Sequence, residues 1–362
     1  MQSTKRREFL LFLGRSGLVG AGLGFVPLSV FKSCKIGENN NLSIGSDLFP
    51  SLADDLVLHE GLNYNLVCSW GDSITDDDTF GYNNDYTAYI SLSEGDGLLW
   101  VNHEYHKSMF VSNFEGGIKT LEQIDKELYS VGGSILRIKK DDAGKWNVQH
   151  GDNYNRRITG HTPIPFHWDQ EIFGASQAMG TLGNCSGGVT PWGTILTCEE
   201  NYDSFYGEIT YAKGERIHQK GRQQFERHYD RPPEHYGWVV EVDPKTGISR
   251  KLVALGRFMH ECATIHEAED GRLVIYSGDD AVNQCLYKYI SSEPRDLKNG
   301  KLYVADLVNG KWLSLDINDN PKLKKSFKNQ TEIQIRTREA AKLVGGTPLD
   351  RPEDIEIDPI TG

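Results

Sequence analysis

The chain has 362 residues, 38% hydrophobic and 10% aromatic, with a formal net charge of −12; that is enough for one large domain or two ordinary ones around a packed core. So acidic a chain lacks the basic footprint that nucleic-acid binding requires, which excludes that class. A mean hydropathy of −0.50 leaves nothing beyond the N-terminal leader suited to crossing a membrane.

Thr4-Lys5-Arg6-Arg7-Glu8-Phe9-Leu10 precedes a weakly apolar stretch over 17–30. Two arginines followed by Phe-Leu are the pattern of a twin-arginine (Tat) export signal. The stretch is short and broken by glycine, so it reads as a leader rather than a membrane span. Tat exports proteins already folded, which fits a metal site filled before export. Residues 1–33 are therefore expected to be the signal, the Tat machinery a partner, and the mature protein periplasmic or extracellular. Phe31-Lys32-Ser33-Cys34 puts a cysteine where a lipoprotein signal carries its acylated residue, which would anchor the protein to lipid at Cys34; a plain secreted spacer is the alternative. Residues 34–46 read as a polar linker ahead of a domain over 47–362. Through Ser33 the leader carries five basic residues and one acidic, so its removal takes the net charge from −12 to −16. Such a chain suits a protein that holds cations in carboxylate sites, although a solvated acidic surface accounts for much of the charge.

Dense punctuation by 38 glycines and 13 prolines separates apolar runs of strand length. They lie at 98–101, 134–138, 194–197, 238–242, 273–276, 286–289, 301–305 and 312–315. They are rich in β-branched and aromatic residues and bounded by turn formers. Helical patterning is confined to 121–129 and 333–343, and the charged insertion at 213–235 reads as a solvated loop. A mostly β chain is expected. Val240-Glu241-Val242-Asp243-Pro244-Lys245-Thr246-Gly247 is echoed by Ile355-Glu356-Ile357-Asp358-Pro359-Ile360-Thr361-Gly362. Both copies read as an alternating strand running into a tight hairpin turn. After the first copy a partner strand is expected over 248–255. Hairpins repeated at long spacing suggest propeller blades. The second copy stops at Gly362 without its partner strand, so a C-terminally truncated chain with an unfinished last blade is expected. The cysteines (Cys34, Cys68, Cys185, Cys198, Cys262 and Cys285) contain no C-x-x-C pair, which argues against a structural zinc module, and their spacing defines no disulfide.

Polar groups gather at the strand ends: Asn102-His103-Glu104, Asn184-Cys185, Cys198-Glu199-Glu200-Asn201, His260-Glu261, Asp279-Asp280 and Arg351-Pro352-Glu353-Asp354. Hard oxygen ligands from several loops suit Ca²⁺ or ferric iron, whereas a thiolate suits iron but not calcium. His260-Glu261 begins no H-E-x-x-H motif, because the next histidine is His266, and neither a G-x-S-x-G elbow nor a P-loop is present. One acidic cluster alone is more often a turn than a ligand set; only the joint pattern carries weight.

The run from Asn184-Cys185-Ser186-Gly187-Gly188-Val189-Thr190-Pro191-Trp192-Gly193-Thr194 into Thr197-Cys198-Glu199-Glu200-Asn201 resembles the PhoX-type alkaline phosphatases, a Tat-exported family. So do Tyr236-Gly237-Trp238-Val239-Val240-Glu241-Val242-Asp243-Pro244, Leu255-Gly256-Arg257-Phe258-Met259-His260-Glu261, Gly278-Asp279-Asp280 and Arg351-Pro352-Glu353-Asp354. The resemblance runs in matching order from about Trp70 onward. It implies a β-propeller of six blades with helical and loop insertions, holding two ferric ions (Fe3+) and calcium ions (Ca2+) and hydrolysing phosphate monoesters. By position, Cys185 resembles the thiolate shared by the irons. Glu200, Glu261, Asp280 and Glu353 resemble the carboxylates that hold iron and calcium, and Asn102 and Glu104 calcium ligands. Arg351 resembles the arginine that clamps substrate phosphate; a surface ion pair with Glu353 or Asp354 is the alternative. Cys198 and Cys262 are expected to be core thiols.

The implied chemistry is sound. Cations held by carboxylates can bind the oxygens of a dianionic monoester and stabilise the charge spreading over its phosphoryl group. Arginine adds bidentate recognition of two oxygens. Small-molecule monoesters are the expected partners, and a monomer is expected. Two other classes stay open: a calcium-dependent propeller hydrolase of lactonase or phosphotriesterase type, and a non-catalytic exported propeller that uses metal for stability.

Overall fold

Each apolar run lies in an antiparallel strand to within a residue, because its alternation gives one sheet face something to bury. The protein is described by a computed structural model at residues 52, 54–59, 61–212 and 215–358. The export leader, Cys34, the linker and the last turn of the second repeat copy lie outside these residues. The chain divides into Met1–Tyr64 and Asn65–Gly362, and the site lies in the second unit.

Strands β1 (Asn84–Ser93), β2 (Asp96–His103), β3 (Gly132–Lys140) and β4 (Trp146–Val148) form a meander, with β5 (Arg156–Ile158) also on β3. A short pair follows, β6 (Pro163–Pro165) with β7 (Gln177–Met179). β8 (Asn184–Val189) and β9 (Ile195–Glu199) open a second sheet. A hairpin of β10 (Glu208–Ala212) and β11 (Glu215–Gln219) interrupts it, and β12 (Val239–Val242) and β13 (Ser249–Lys251) complete it in the order β13-β12-β9-β8. The third sheet begins with β14 (Thr264–Glu267) and β15 (Leu273–Gly278). β16 (Val282–Gln284) then leaves it, while β17 (Leu286–Ser291), β18 (Gly300–Asp306) and β19 (Lys311–Ser314) extend it; β20 (Leu349–Asp350) pairs with β16.

The middle sheet buries both faces. Ile195, Val240 and Val242 pack with Leu98, Trp100 and Ile135 of the first sheet. Leu196, Cys198 and Val239 pack with Leu273, Ile275, Tyr287 and Leu302 of the third. Neighbours along one strand thus serve two cores, as period-two alternation requires. Each fully buried Val, Ile or Leu contributes about 1.5–3 kcal/mol. The chain is mostly β, as the punctuation predicted.

Four expectations need correction. The insertion at 213–235 is not a solvated loop throughout: β11 crosses its start, and Phe225 and Glu234 are buried. Phe225 packs on His106, Phe205 and Tyr206, and Arg216 clamps Glu234 through both oxygens. The partner strand after the first repeat copy is only Ser249–Lys251, and Val253–Leu255 turns into a 3-10 helix. The second copy forms no strand over 355–358; Ile355 O accepts from Thr264 Oγ1 of β14, and no ladder is built on that contact among the described residues. Helices are also more numerous. Ser108–Val111, Asp203–Tyr206 and Pro321–Ser326 are short, and the segment near 333–343 is two helices, Gln330–Ile335 and Thr337–Val344. Asn320 and Asn329 cap two of them, a signal that apolar periodicity alone does not carry. No helix among the described residues is long and apolar enough to cross a membrane.

Candidate metal and active site

In an antiparallel pair the start of one strand lies beside the end of the other. Three such edges converge: Asn84 opposite His103, Asn184 opposite Glu199, and His260 bridged to Asp279. The first edge supplies Asp85 and Glu104, the second Cys185 and Glu200, the third Glu261 and Asp280. A main-chain bond joins the second edge to the third, His260 N–H donating to Glu199 O at 3.1 Å, and two close the third on itself, Glu261 N–H to Gly278 O and Asp280 N–H to Met259 O, both at 3.1 Å. Two glycines permit the close approach. A Cβ on Gly188 would stand 2.1 Å from Ala263 O, and one on Gly278 2.2 Å from Pro352 O. The β16–β20 pairing carries the chain to Arg351, whose Nη2 donates to Asp280 Oδ2 at 2.6 Å and lies 3.0 Å from Glu353 Oε1.

Cys185 is the centre of the cluster. Its sulfur and one oxygen each of Glu200 and Glu261 lie within 4.8 Å of one another, and so do its sulfur and oxygens of Asp85 and Glu104. The thiol donates to Glu261 Oε1 at 3.4 Å. Glu104, Glu200 and Glu261 are buried, and among the described residues neither they nor Asp85 has a cationic partner. Burial and the charges of Glu261 and Glu104 push Glu200 up to about 9. Burial, aided by Asp85, lifts Glu104 to about 8. Burial with Asp354 and Asp280 raises Glu261 to about 7, although the Cys185 thiol works the other way. Burial and the surrounding carboxylates push the Cys185 thiol far up. Asp280 Oδ1 is buried without a hydrogen-bond partner. Acids this crowded are ionised only if a positive charge joins them, so the donor set fits cations: carboxylate oxygens with one thiol.

A sequence model of the family Alkaline phosphatase PhoX matches residues 44–362. The chain belongs to the PhoX alkaline phosphatase family. No curated protein matches it. Among solved structures it is similar to Pseudomonas fluorescens PhoX in complex with vanadate, a transition state analogue, with a TM-score of 0.71 and 29% identity. The match covers 82% of this chain and 62% of that one, so this chain spans less than two thirds of that protein's length.

Against the PhoX resemblance, the geometry changes some residue assignments. Asn102 is fully buried and its amide is spent. Nδ2 donates to Cys185 O and, at 3.1 Å, to Ser186 O, while Oδ1 accepts from Trp100 Nε1 at 2.6 Å and Thr197 Oγ1 at 2.8 Å. Two donors and two lone pairs are all that an amide has, so Asn102 fastens the Cys185 strand and has no lone pair left for calcium. The Glu353 carboxylate turns to Arg351 and is 54% exposed; of that segment, Asp354 bears more strongly on Glu261. Arg351 makes the ion pair with Glu353 that was the alternative to a phosphate clamp, and a second with Asp280. Cys198 and Cys262 are buried, as core thiols should be. Asp85 escaped the sequence reading because β1 has no apolar run to announce it; only the Asn-Asn turn at 83–84, with Asn83 at φ 54°, marks its start. Tyr105 was missed as well: its hydroxyl accepts from Asn201 Nδ2 at 2.7 Å beside Glu104.

Proposed function

We propose that this chain is an exported, metal-dependent phosphatase that hydrolyses small phosphate monoesters. Cys185, Glu104, Glu200, Glu261, Asp280 and the added Asp85 hold iron and calcium, with Glu353 or Asp354 completing the set from the last segment. When bound, these cations supply charge for the phosphoryl oxygens and lower the pKa of a bound water. The observation that carries this reading is the buried cluster of carboxylates and a thiol, short of positive charge, beside a half-exposed arginine. Arg351 is oriented by Asp280 and Glu353 through Nη2 alone, which leaves Nε and Nη1 without a protein acceptor among the described residues. These two groups lie on different edges of the guanidinium, and each can donate one hydrogen bond to a phosphate oxygen. Asn102 holds the Cys185 backbone in register, and the surrounding burial limits water at the reacting group. The vanadate complex of the similar P. fluorescens protein supports a phosphoryl-binding centre. The six-bladed propeller is what the PhoX resemblance implies; sheets packed face to face with strand ends meeting at one place support a blade-like arrangement. The paired arginines support Tat export to the periplasm or beyond; Cys34 is either the acylated residue of a lipoprotein signal or part of a plain secreted spacer.

The test is metal content and turnover of the purified protein. Iron and calcium with phosphate release from a simple monoester, abolished by chelation, is the expected result. Calcium without iron, with lactone or phosphotriester hydrolysis, would establish the calcium-hydrolase class instead. Stabilisation by metal with no turnover at any pH would leave a binding protein.

A further inference from the structure

Four carboxylates of the site follow immediately after a buried polar residue: His103-Glu104, Glu199-Glu200, His260-Glu261 and Asp279-Asp280. In each pair the first residue is 0% exposed. In extended backbone, successive side chains point oppositely, so one residue of each pair faces the packed interior when the other faces the cluster. The inward residues are tied to the protein, His103 through one ring nitrogen and the other three through both of their polar atoms. Glu199 Oε1 accepts from Lys251 Nζ at 2.6 Å and Leu182 N–H at 3.2 Å, and its Oε2 from Gly237 and Trp238 N–H at 2.9 and 3.0 Å. Asp279 is gripped by Arg338 through both oxygens, one at 2.7 Å. His260 Nε2 faces Gly256 O at 2.9 Å and so carries the proton, leaving Nδ1 to accept from Ser277 Oγ at 3.0 Å. His103 Nε2 meets Ser134 Oγ at 2.7 Å. Three of these residues are also joined through the main chain, since His260 N–H donates to Glu199 O and His260 bridges Asp279.

We propose that His103, Glu199, His260 and Asp279 are positioning residues, a braced layer beneath the site that aims Glu104, Glu200, Glu261 and Asp280 at the bound cations, with Lys251 and Arg338 as its struts. This rests on the cation-site reading above. A cation site needs its ligands held to fractions of an ångström, and outer partners of ligands commonly govern affinity. Lys251 and Arg338 therefore act on metal binding without touching metal or substrate.

The experiment is calcium titration by calorimetry on the full chain. Two double variants remove both charges of a strut, so that neither ion is stranded: Glu199→Gln with Lys251→Met, and Asp279→Asn with Arg338→Met. Glu241→Gln with Arg250→Met removes an ion pair of similar geometry that precedes no site carboxylate. The expected result is calcium affinity lower by about 10–100-fold in the strut variants. The control pair binds like the unmutated chain whatever its melting temperature, and Arg338→Lys, which keeps the charge, retains most of the affinity. Strut variants that fold and bind calcium like the unmutated chain would overturn the positioning role alone. An unmutated chain that binds no calcium would overturn the site reading with it. The two struts are independent, so failure of one variant to fold leaves the other to decide.

Discussion

Two populations of buried carboxylates lie within this fold, one paired with protein cations and one not. Glu127, Glu199, Glu234 and Asp279 are buried against protein cations: Lys119 with His106, Lys251, Arg216 and Arg338. Glu104, Glu200 and Glu261 are buried to a similar degree, yet no Lys, Arg or His pairs with them among the described residues. Burial alone drives a carboxyl toward protonation and a partner opposes it; at Asp279 burial still outweighs Arg338 and the carboxyl stays raised. Burial pushes Glu127 up, but His106, Lys119 and Ser112 outweigh it and hold it down at about 2, whereas Glu200 rises to about 9. The first group is complete as folded, and the second is built for a charge brought from outside.

The largest effect expected on this contrast is loss of function at the unpaired cluster. Cys185→Ala should remove iron and nearly all phosphatase turnover while leaving the far-ultraviolet circular dichroism unchanged. Full iron and normal turnover in that variant would show that the thiol plays no part in the site.

The next effect is a difference in sign. Lys251→Met strands Glu199 and should cost about 3–5 kcal/mol, as breaking a buried pair does. Glu200→Gln in metal-free protein at pH 8 should instead stabilise, because it removes a buried acid with nothing to pair with. Chemical denaturation of both measures the contrast, and destabilisation by Glu200→Gln would erase it.

The pH dependence should divide in the same way. Glu261, Glu104 and Glu200 titrate near 7, 8 and 9 in the fold, raised from 4.5. The metal-free folded state therefore keeps protons that the unfolded chain has lost, and stability should fall as pH rises from about 4.5 to 9. Calcium should flatten that slope. Glu127 is depressed, so its contribution is present above about 4.5 and lost as pH falls toward 2. Melting curves from pH 3 to 9, with and without calcium, would show both limbs; a metal-free melting temperature that rises between pH 5 and 9 would contradict the first.

The smallest effect falls on Arg351, which is 55% exposed. Arg351→Ala should raise KM for a monoester severalfold and weaken inhibition by phosphate, with metal content unchanged. An unchanged KM would make the arginine a structural partner of Asp280 and Glu353.

The site was legible where chemistry and strand endings coincide. His103-Glu104, Glu199-Glu200, His260-Glu261 and Asp279-Asp280 each close an apolar run or start beside one, so a reader of strand ends meets them directly. Asp85 was not legible, because β1 carries no contiguous apolar run, only the alternation of Tyr86, Ala88, Ile90 and Leu92, and Asp85 precedes it. Asn102 was visible but misassigned, since a sequence cannot show that both ends of its amide are occupied. Lys251 and Arg338 lie 52 and 59 positions from the acids they grip, and no local pattern announces a partner at that distance.

By itself, then, the sequence determined the mostly β architecture, through period-two alternation between glycine and proline breaks, and the family, through its ordered motifs. Both are local properties, written in neighbouring residues. Which acids are neutralised by protein and which await a cation was decided only by tertiary structure. That choice depends on which side chains from distant strands meet in a medium where an unpaired charge is costly, and the packing of three sheets onto one another makes it.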